Sequence, residues 1–372
     1  MIIGILTYHK SHNFGALAQA IALRKTIASM GYDVYYINYW PDYHQAMYAL
    51  FSLKDFMRQP SLRMKWRYLK RKWRDYPIKK TSYRRYNQFI AKYILPYCRG
   101  EGMQYDCIIY GSDQIWRKQP WMETYNPVYF AKNHFNTKKN VAYAASMGNT
   151  DLSISDKVQL KTLLSNFDKI AVRESNLKML VNDLGYSCKL TVDPALLLNQ
   201  NQWDNIIPTT ESSKKTGYVL FVNYMNGSFD ESILRRYAVE RKLSFVKVNG
   251  SVVGKDTPDA ITDAGPKELV NFIRNANVVF TSSFHAMIFS IIYKKDFFAG
   301  FSNNFGRAQS ILQCLGIENR LVRNITMQDL LDKSLIDYDS VTEKLENLIS
   351  PSLEYLYLSL IHISEPTRPE RI

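Results

Sequence analysis

The strongest constraint in the sequence is a regular alternation of strand-like and helix-like segments that starts at its first residue. Residues 1–8 predict a strand, residues 16–30 have the apolar spacing of a helix, and residues 32–39 predict a second strand. Two parallel strands must be joined by a long crossover connection, which is usually a helix. The opening therefore predicts a right-handed βαβ unit with parallel strands.

The alternation continues along the chain and restarts once. Further strands are predicted at 106–110, 141–146, 169–172 and 190–192, with helices at 155–167 and 174–184. After a break, strands follow at 218–224, 244–248, 278–281 and 297–301, with helices at 230–241, 266–276, 286–293 and 307–315. The predicted fold class is α/β, with two Rossmann-like doubly wound domains that face each other across a ligand cleft.

The break itself is a polar run, PTTESSKKTG, at residues 208–217. It divides the chain into an N-terminal domain at 1–210, with a basic helical insertion at 54–99, and a C-terminal domain at 216–330. Helices are predicted at 331–357. Residues 358–368 read LSLIHISEPTR, which looks like translated adapter DNA from a sequencing library. We therefore treat residues 358–372 as a non-native tail and exclude them from the fold prediction.

Positive charge points to anionic partners. The chain of 372 residues carries a formal net charge of +14, which favours phosphorylated metabolites, anionic lipid or nucleic acid. In the insertion, Leu62, Trp66, Leu69 and Trp73 recur at helical spacing among arginines and lysines. Such a helix either lies on an anionic membrane or, as we favour, packs on the domain with its basic face in solvent. Nucleic acid is not expected, because no recognition motif accompanies the charge.

The sequence predicts a cytoplasmic protein, with an optional peripheral contact to the inner face of the membrane. No run of about eighteen apolar residues is present, and the start lacks the basic and cleavage-site features of a signal peptide. The four cysteines lie far apart without a CxxC pair, which predicts neither a zinc site nor a disulfide framework. No metal or cofactor is expected.

Four segments place polar residues where a predicted strand ends. The first contains Asn13 and Gly15, at the start of a helix. The free N–H groups of that helix can bind an anion, and Gly15 lets a ligand come close to the backbone. A plain strand-to-helix turn is the alternative. The second contains Gly111, Ser112 and a carboxylate and amide at the next two positions, and it suits sugar hydroxyls or a catalytic base.

The second segment also has a structural alternative, since Ser112 or Asp113 could cap a short helix.

In the third segment, Arg173 ends a strand and can present its guanidinium to a carboxylate or phosphate. Its alternative is an ion pair with Glu174 or Asp193.

In the fourth segment, Ser283 can cap the helix that follows, and His285 lies in the first turn of that helix. A histidine there faces any anion that the helix end attracts, although a structural role is equally open.

Taken in order, these segments resemble the polysaccharide pyruvyl transferase family. The resemblance covers most of the chain and rests on NFGALAQAIALRKTI, YGSDQIW, VAYAASMG, AVRES, TVDPALLL, SSFHAMIFSIIYKKDFF and NNFGRAQSILQCLGI. It implies a GT-B-like architecture, phosphoenolpyruvate as the donor co-substrate, and a sugar or lipid-linked oligosaccharide of a surface or exported polymer as the acceptor. The expected reaction forms a pyruvyl ketal, with His285 as the acid and Asp113 accepting a hydroxyl proton.

One position departs from the family pattern. Better-characterised members carry arginine and leucine before the histidine, whereas this chain has Ser283 and Phe284. The donor's anionic groups must then be bound by other residues, and the candidates are Arg173, Lys295 and Arg307. Further residues are expected to bind substrate: Asn13, Gly15, Gly111, Ser112, Gln114 and Ser283. The alternatives are a GT-B nucleotide-sugar glycosyltransferase and a non-catalytic scaffold of a polymer assembly complex.

Overall fold

A seven-stranded parallel sheet is the framework of the first domain, in the order β3-β2-β1-β4-β5-β6-β7. The computed structural model describes residues 1–119, 122–132, 135–148, 150–209, 217–224, 229–250, 259–301 and 306–361, with only the backbone of Lys54 and Ile78. The strands are β1 (Ile2–Leu6), β2 (Asp33–Ile37), β3 (Cys98–Arg99), β4 (Cys107–Tyr110), β5 (Asn140–Ala145), β6 (Lys169–Val172) and β7 (Cys188–Leu190).

Helices cover both faces of this sheet, as parallel strands require. They are α1 (Phe14–Ser29), α2 (Asp42–Tyr48), α3 (Leu53–Met57), α4 (Leu62–Tyr93), α5 (Ile154–Leu164), α6 (Ser175–Asp183) and α7 (Gln200–Ile206). The strand order reverses between β1 and β4, and this is the point at which ligands bind in open parallel sheets.

The second domain repeats the plan with five parallel strands in the order β10-β9-β8-β11-β12. The strands are β8 (Tyr218–Asn223), β9 (Ser244–Asn249), β10 (Ala260–Ile261), β11 (Val278–Thr281) and β12 (Asp296–Ala299). The helices are α8 (Glu231–Glu240), α9 (Pro266–Asn275), α10 (Phe284–Ile292), α11 (Gly306–Leu315), α12 (Met327–Asp332) and α13 (Tyr338–Ile361).

The predicted α/β fold class is confirmed, with two doubly wound parallel sheets in one chain. Strands β6 and β11 have the predicted bounds, and the remaining predicted elements are present with ends shifted by a few residues. The two-residue strands β3 and β10 were not predicted, because so short a segment shows no periodicity. Most of the predicted domain boundary, residues 210–216, lies outside the described residues.

The two domains meet through helix α10, all nine residues of which are buried. Its Phe289 ring lies 4.8 Å from the ring of Phe14 in α1 and 4.8 Å from that of Trp203 in α7, both in the first domain. One apolar cluster therefore continues from the first sheet into the second. The contact places the start of α10 against the start of α1.

The last helix, α13, returns from the second domain to the first. The Tyr355 hydroxyl donates to the carbonyl of Ala142 at 2.9 Å, and the Lys139 ammonium donates to the carbonyl of Ser359 at 3.0 Å. The helix continues to Ile361 with Leu360 fully buried, four residues beyond the predicted limit of the fold at 357. The rest of the predicted tail, residues 362–372, lies outside the described residues.

The basic insertion contains the 32-residue helix α4. We favoured packing of its apolar residues on the domain, and this prediction is wrong for the first half of the helix. Leu62, Trp66, Leu69 and Trp73 are 84%, 69%, 43% and 83% exposed. Within the described ranges, no helix is both long and apolar enough to cross a bilayer.

We predict that the return of α13 contributes strongly to stability. Leu356 is fully buried, so Leu356→Ala removes apolar contacts and leaves a cavity, which should lower the free energy of unfolding by about 2–5 kcal/mol. The matched control is Leu335→Ala at a position that is 78% exposed, where a change within about 0.5 kcal/mol is expected. Urea unfolding measures both, and equal losses in the two variants would contradict the prediction.

Candidate active site

A buried carboxylate, Asp193, joins residues from both domains. Its Oδ2 atom accepts a hydrogen bond from Nη1 of Arg173 and lies 3.5 Å from Nε2 of His285. Arg173 follows strand β6, Asp193 follows β7, and His285 lies in the first turn of α10 after β11. The carboxyl ends of the two sheets thus deliver these three side chains to one point, and the predicted convergence of Arg173 and His285 is present.

Electrostatics fix the charge state of this centre. Burial alone would raise the pKa of the Asp193 carboxyl, but His285 and then Arg173 outweigh burial and hold its pKa well below the usual range. A carboxylate that remains ionised beside an imidazole orients the ring. The ion pair with Asp193 is also one of the two structural alternatives stated for Arg173.

The start of α1 holds His285 rather than a ligand. A Cβ atom at Gly15 would lie 1.9 Å from Nδ1 of His285, so only glycine admits the ring at this distance. The Oδ1 atom of Asn13 accepts from the backbone N–H of Gly15 at 2.9 Å and of Ala16 at 3.4 Å, which caps the helix. The prediction of an anion site at this helix start is therefore wrong. Asn13 caps the N–H groups of Gly15 and Ala16, and the His285 ring occupies the space beside them.

The loop after β4 reaches the same centre. Gly111 has φ of +140° and a Cβ atom there would lie 2.0 Å from the carbonyl oxygen of Tyr143, so the turn requires glycine. Ser112 is fully buried, and its Oγ accepts from Nη1 of Arg173 at 3.2 Å. Asp113 comes next, with its Oδ1 atom 3.7 Å from Nη2 of Arg173.

Asp113 and Gln114 are partly exposed, and they form the open side of the loop. The Asp113 carboxylate accepts from the backbone N–H of Gln114 at 2.8 Å. No helix begins within residues 111–119, so the capping alternative stated for Ser112 and Asp113 is not present. The backbone carbonyl of Gln114 accepts from the Tyr8 hydroxyl at 3.4 Å. The carboxylate of Asp113 remains within reach of both Arg173 and solvent.

A second arginine completes the cluster. Arg307 in α11 lies with its Nε 3.8 Å from Oε1 of Glu174, a buried carboxylate that accepts from the Ser146 hydroxyl at 2.5 Å. The guanidinium carbons of Arg173 and Arg307 lie 5.2 Å and 5.1 Å from the centroid of the Phe284 ring. Burial, and then repulsion from Arg173, lowers the pKa of Arg307 to about 10, so the side chain is still charged at neutral pH.

Several donors of this cluster have no acceptor. The Nε and Nη2 atoms of Arg173, the Nε of Arg307 and the Nε2 of His285 are buried and find no hydrogen-bond partner among the described residues. An unsatisfied buried donor costs roughly 1–3 kcal/mol, and charged groups cost more. Such a set of charged donors in one place is suited to an anion that brings several oxygen atoms.

Two predicted residues have other positions or roles. Ser283 caps α10, with its Oγ accepting from the backbone N–H of Ala286 at 3.4 Å. Lys295 lies just before β12, at the amino end of the second sheet, whereas His285 lies at the carboxyl end. Ten residues of mostly helical chain separate them, roughly 15 Å. The structure therefore does not bring Lys295 to the cluster.

A small cavity lies inside the cluster and a large cleft lies beside it. The cavity has a volume of about 50 Å³ and is lined by Arg173, Asp193, Phe284 and Arg307, which leaves room for a few water molecules. In the described ranges, no three histidine, cysteine, aspartate or glutamate side chains are grouped so that they could hold a metal ion.

The large cleft has a volume of about 720 Å³ and opens beyond the carboxyl end of β2. Aromatic side chains and carboxamides line it, and we call it the aromatic cleft: Tyr39, Trp40, Tyr43, Tyr125, Asn38 and Asn126. The amide of Asn126 donates to the hydroxyls of Tyr39 at 3.1 Å and Tyr43 at 3.2 Å.

The aromatic cleft connects with the Gln114 loop through two tyrosines. The Tyr129 ring lies 5.5 Å from that of Tyr39 in the cleft and 5.1 Å from that of Tyr8, whose hydroxyl reaches Gln114. A ligand in the cleft would therefore lie on the Asp113 side of the cluster.

Sequence reasoning missed Asp193 as a site residue, although TVDPALLL was recognised as part of the pattern. The available signal was a carboxylate directly after a predicted strand, as at Asp113. Phe284 was treated only as a departure, and its position between two arginines depends on helix packing that no local pattern encodes. The aromatic cleft was missed because its walls come from distant segments.

We predict that a methyl group at Gly15 disrupts the join between the domains. Gly15→Ala places a Cβ atom inside the His285 ring, so the ring must move, and the free energy of unfolding should fall by about 1–3 kcal/mol. Gly102→Ala is the matched control, because an added Cβ there meets no atom within 4 Å. Urea unfolding and the NMR shifts of the His285 imidazole measure the effect. Unchanged imidazole shifts in Gly15→Ala would contradict the proposed contact.

Comparison with known proteins places these features in context. The model of the polysaccharide pyruvyl transferase family matches residues 13–304, which include every residue of the cluster except Arg307. No curated protein matches the chain by sequence.

Solved structures resemble the chain in fold. A putative UDP-N-acetylglucosamine 2-epimerase from Listeria monocytogenes is 12% identical, with a TM-score of 0.53 over 100% of this chain and 98% of its own. The UDP-GlcNAc 2-epimerase from Methanocaldococcus jannaschii is 9% identical, with a TM-score of 0.49 over 97% and 100% of the two chains. The glycosyltransferase SnogD from Streptomyces nogalater is 8% identical, with a TM-score of 0.44 over 96% and 99%. The Listeria structure supports the GT-B-like arrangement of two facing domains.

Proposed function

Because the chain belongs to the polysaccharide pyruvyl transferase family and is a transferase, we propose that it moves the pyruvyl group of phosphoenolpyruvate onto a sugar as a ketal. The acceptor in this proposal is a sugar, or a lipid-linked oligosaccharide, of a cell-surface or exported polysaccharide. The observation that carries the proposal is the set of buried donors on Arg173, Arg307 and His285 that make no hydrogen bond among the described residues.

These donors match the chemistry of the donor substrate. Phosphoenolpyruvate has a carboxylate and a phosphate on neighbouring atoms, and both bind best to guanidinium groups in a site shielded from water. Arg173 and Arg307 come from different domains and flank the same Phe284 ring. They supply the positive charge that family members place two residues before the histidine, where this chain has Ser283.

The donor has to displace a contact inside the cluster. Two arginines face three carboxylates, Asp113, Asp193 and Glu174. Nη2 of Arg173 lies 3.7 Å from Oδ1 of Asp113, which is too long for a hydrogen bond. Phosphoenolpyruvate can therefore displace Asp113 from this nitrogen. Asp113 is then free to face the acceptor.

In the proposed reaction His285 donates a proton to the methylene carbon of phosphoenolpyruvate. The central carbon becomes cationic and binds a sugar hydroxyl oxygen, whose proton passes to Asp113. The bond from that carbon to the phosphate oxygen breaks with its electron pair, and a second hydroxyl of the sugar closes the ketal. Of the two hydroxyl protons, one replaces the proton given by His285 and one leaves with phosphate. Asp193 stabilises the protonated imidazole and orients it.

We assign the acceptor to the aromatic cleft. Tyrosine and tryptophan rings pack against the apolar faces of sugars, while carboxamides bind hydroxyl groups. A volume of about 720 Å³ is within the range of ligand sites and is larger than phosphoenolpyruvate needs. The cleft also lies on the Asp113 side of the cluster, where the acceptor hydroxyl has to arrive. We further propose that the enzyme acts in the cytoplasm, at the inner face of a membrane.

We predict that phosphoenolpyruvate, and not a nucleotide sugar, stabilises the chain. A ligand at 100 times its Kd adds about 2.7 kcal/mol to the free energy of unfolding, which a thermal shift assay detects. With an acceptor sugar present, phosphate release should fall by about 100-fold or more in His285→Gln, and KM for phosphoenolpyruvate should rise in Arg173→Lys because the planar guanidinium is lost.

Arg236→Lys is the control for the arginine variant, since Arg236 is exposed on α8 and should leave both constants unchanged. Stabilisation by UDP-N-acetylglucosamine with no response to phosphoenolpyruvate would instead support the nucleotide-sugar alternative. Phosphate release in His285→Gln within a few-fold of the parent would remove the acid role of His285.

We predict a selective acceptor defect for a variant of the aromatic cleft. Trp40→Ala removes a stacking surface, so KM for the acceptor should rise by at least about fivefold while KM for phosphoenolpyruvate stays unchanged. Trp40→Phe retains a ring and should recover most of the affinity. Tyr357→Ala, at a residue that is 53% exposed on α13, is the control. A parallel rise in both KM values would argue against an acceptor role.

A further inference from the structure

Exposed apolar side chains are concentrated on one small part of the molecule. Among the described residues, ten of the nineteen exposed large apolar side chains lie between positions 47 and 76. Four of them, Leu62, Trp66, Leu69 and Trp73, follow the four-three-four spacing that places residues on one face of a helix. A contiguous apolar face of this kind in water indicates a binding surface.

The face is held in place by packing on its other side. Tyr68 is buried, and its ring lies 5.9 Å from that of Phe51 and 6.2 Å from that of Phe56. The Tyr68 hydroxyl donates to the carbonyl of Ser52 at 3.2 Å, and the Lys72 ammonium donates to the carbonyl of Ala49 at 3.1 Å. The exposure of the tryptophans is therefore a property of a helix docked on α2 and α3.

Neighbouring helices extend the same apolar surface. Met47 in α2, Leu53 and Met57 in α3, and Phe51 between them are 53%, 65%, 61% and 48% exposed. The second half of α4 packs elsewhere, with Arg85 donating to the carbonyl of Asp263 at 2.7 Å in the second domain. We call residues 47–76 the α2–α4 surface.

Basic side chains flank the apolar stripe on both sides. At about 100° per residue, Arg63, Lys70 and Arg74 lie on one side of the stripe and Lys65 and Lys72 on the other. With Arg67 and Arg71, the segment from 62 to 76 contains seven basic residues and one acidic residue.

A groove of about 400 Å³ lies on the side of α4 that faces away from this stripe. It is lined by Gln59, Met64, Arg67, Tyr68, Lys70, Arg71 and Arg74. Four of these seven residues are cationic, so the groove attracts phosphate and other anions.

We propose that the α2–α4 surface docks on the interface of a bilayer that contains anionic lipid. An apolar stripe between two rows of basic residues is the pattern of helices that lie flat in the lipid headgroup layer, where long cationic side chains extend to phosphates. The flanking side chains of Arg63, Lys65, Lys70 and Arg74 reach headgroup phosphates. The tryptophans enter the boundary between headgroups and acyl chains.

Other occupants fit less well. A second copy of the chain would bring two surfaces with seven basic residues each, and two molecules of net charge +14, into contact. A nucleic acid would neutralise the cations but leave the leucines and tryptophans in water. Only an anionic bilayer matches the charge and the apolar stripe together.

The proposal deepens the membrane position stated with the proposed function, but its test does not use pyruvyl transfer. The full chain is incubated with vesicles of phosphatidylcholine containing 30% phosphatidylglycerol (about 0.1 M salt) and separated by flotation. Binding should be at least tenfold weaker to vesicles of pure phosphatidylcholine, because each basic residue near an anionic surface adds roughly 1 kcal/mol. Failure of catalysis leaves this result unaffected, so the two proposals fail separately.

Variants separate insertion from simple charge attraction. Trp66→Ala combined with Trp73→Ala should lower vesicle binding at least tenfold, with the circular dichroism spectrum unchanged because both rings are exposed. Val239→Ala combined with Leu335→Ala, at positions 76% and 78% exposed in other parts of the chain, should bind like the parent.

Three outcomes overturn the proposal. The first is no binding to the anionic vesicles. The second is equal binding by the tryptophan variant and the parent, which would indicate charge attraction alone. The third is dimerisation of the parent that the tryptophan variant loses, without vesicle binding, which would assign the surface to a second copy.

Discussion

The ionised carboxyl group of Asp193 is the interaction on which the candidate site depends. It is buried, and it is held in its charged form by Arg173 from its own domain and His285 from the other. Removal of Arg173 or Asp193 would leave a buried charge without its hydrogen-bonded partner, which is far more costly than the loss of a surface ion pair. The three residues therefore act as one unit across the domain interface, and the remaining residues of the cluster are arranged around it.

The two arginines differ in how they are held. Arg173 donates to Asp193 and Ser112, whereas among the described residues Arg307 makes a long contact to Glu174 and lies over the Phe284 ring. An anion that binds between them would find one fixed cation and one that can adjust to it. Together the two arginines concentrate positive charge around the Phe284 ring.

The sequence predicted the alternating βα pattern and most of the segments that form the site, because ligands gather at the carboxyl ends of parallel strands. Arg173, Asp113 and His285 were found in this way. Lys295 was grouped with them although it precedes the predicted strand 297–301 and therefore belongs to the amino end of the sheet. The close approach of Gly15 and His285 was also beyond sequence reasoning, since it depends on two helices from different domains. The helical spacing predicted the apolar stripe on α4, but it could not show whether another part of the chain covers that stripe.

The apolar cluster that passes from one sheet to the other has a consequence for how the chain can change over time. Helix α10 of one half packs against α1 and α7 of the other, so apolar side chains on these helices are covered only when both halves are present. Exchange of either half for an unrelated one would leave those side chains exposed and prone to aggregation. The two halves must therefore descend together.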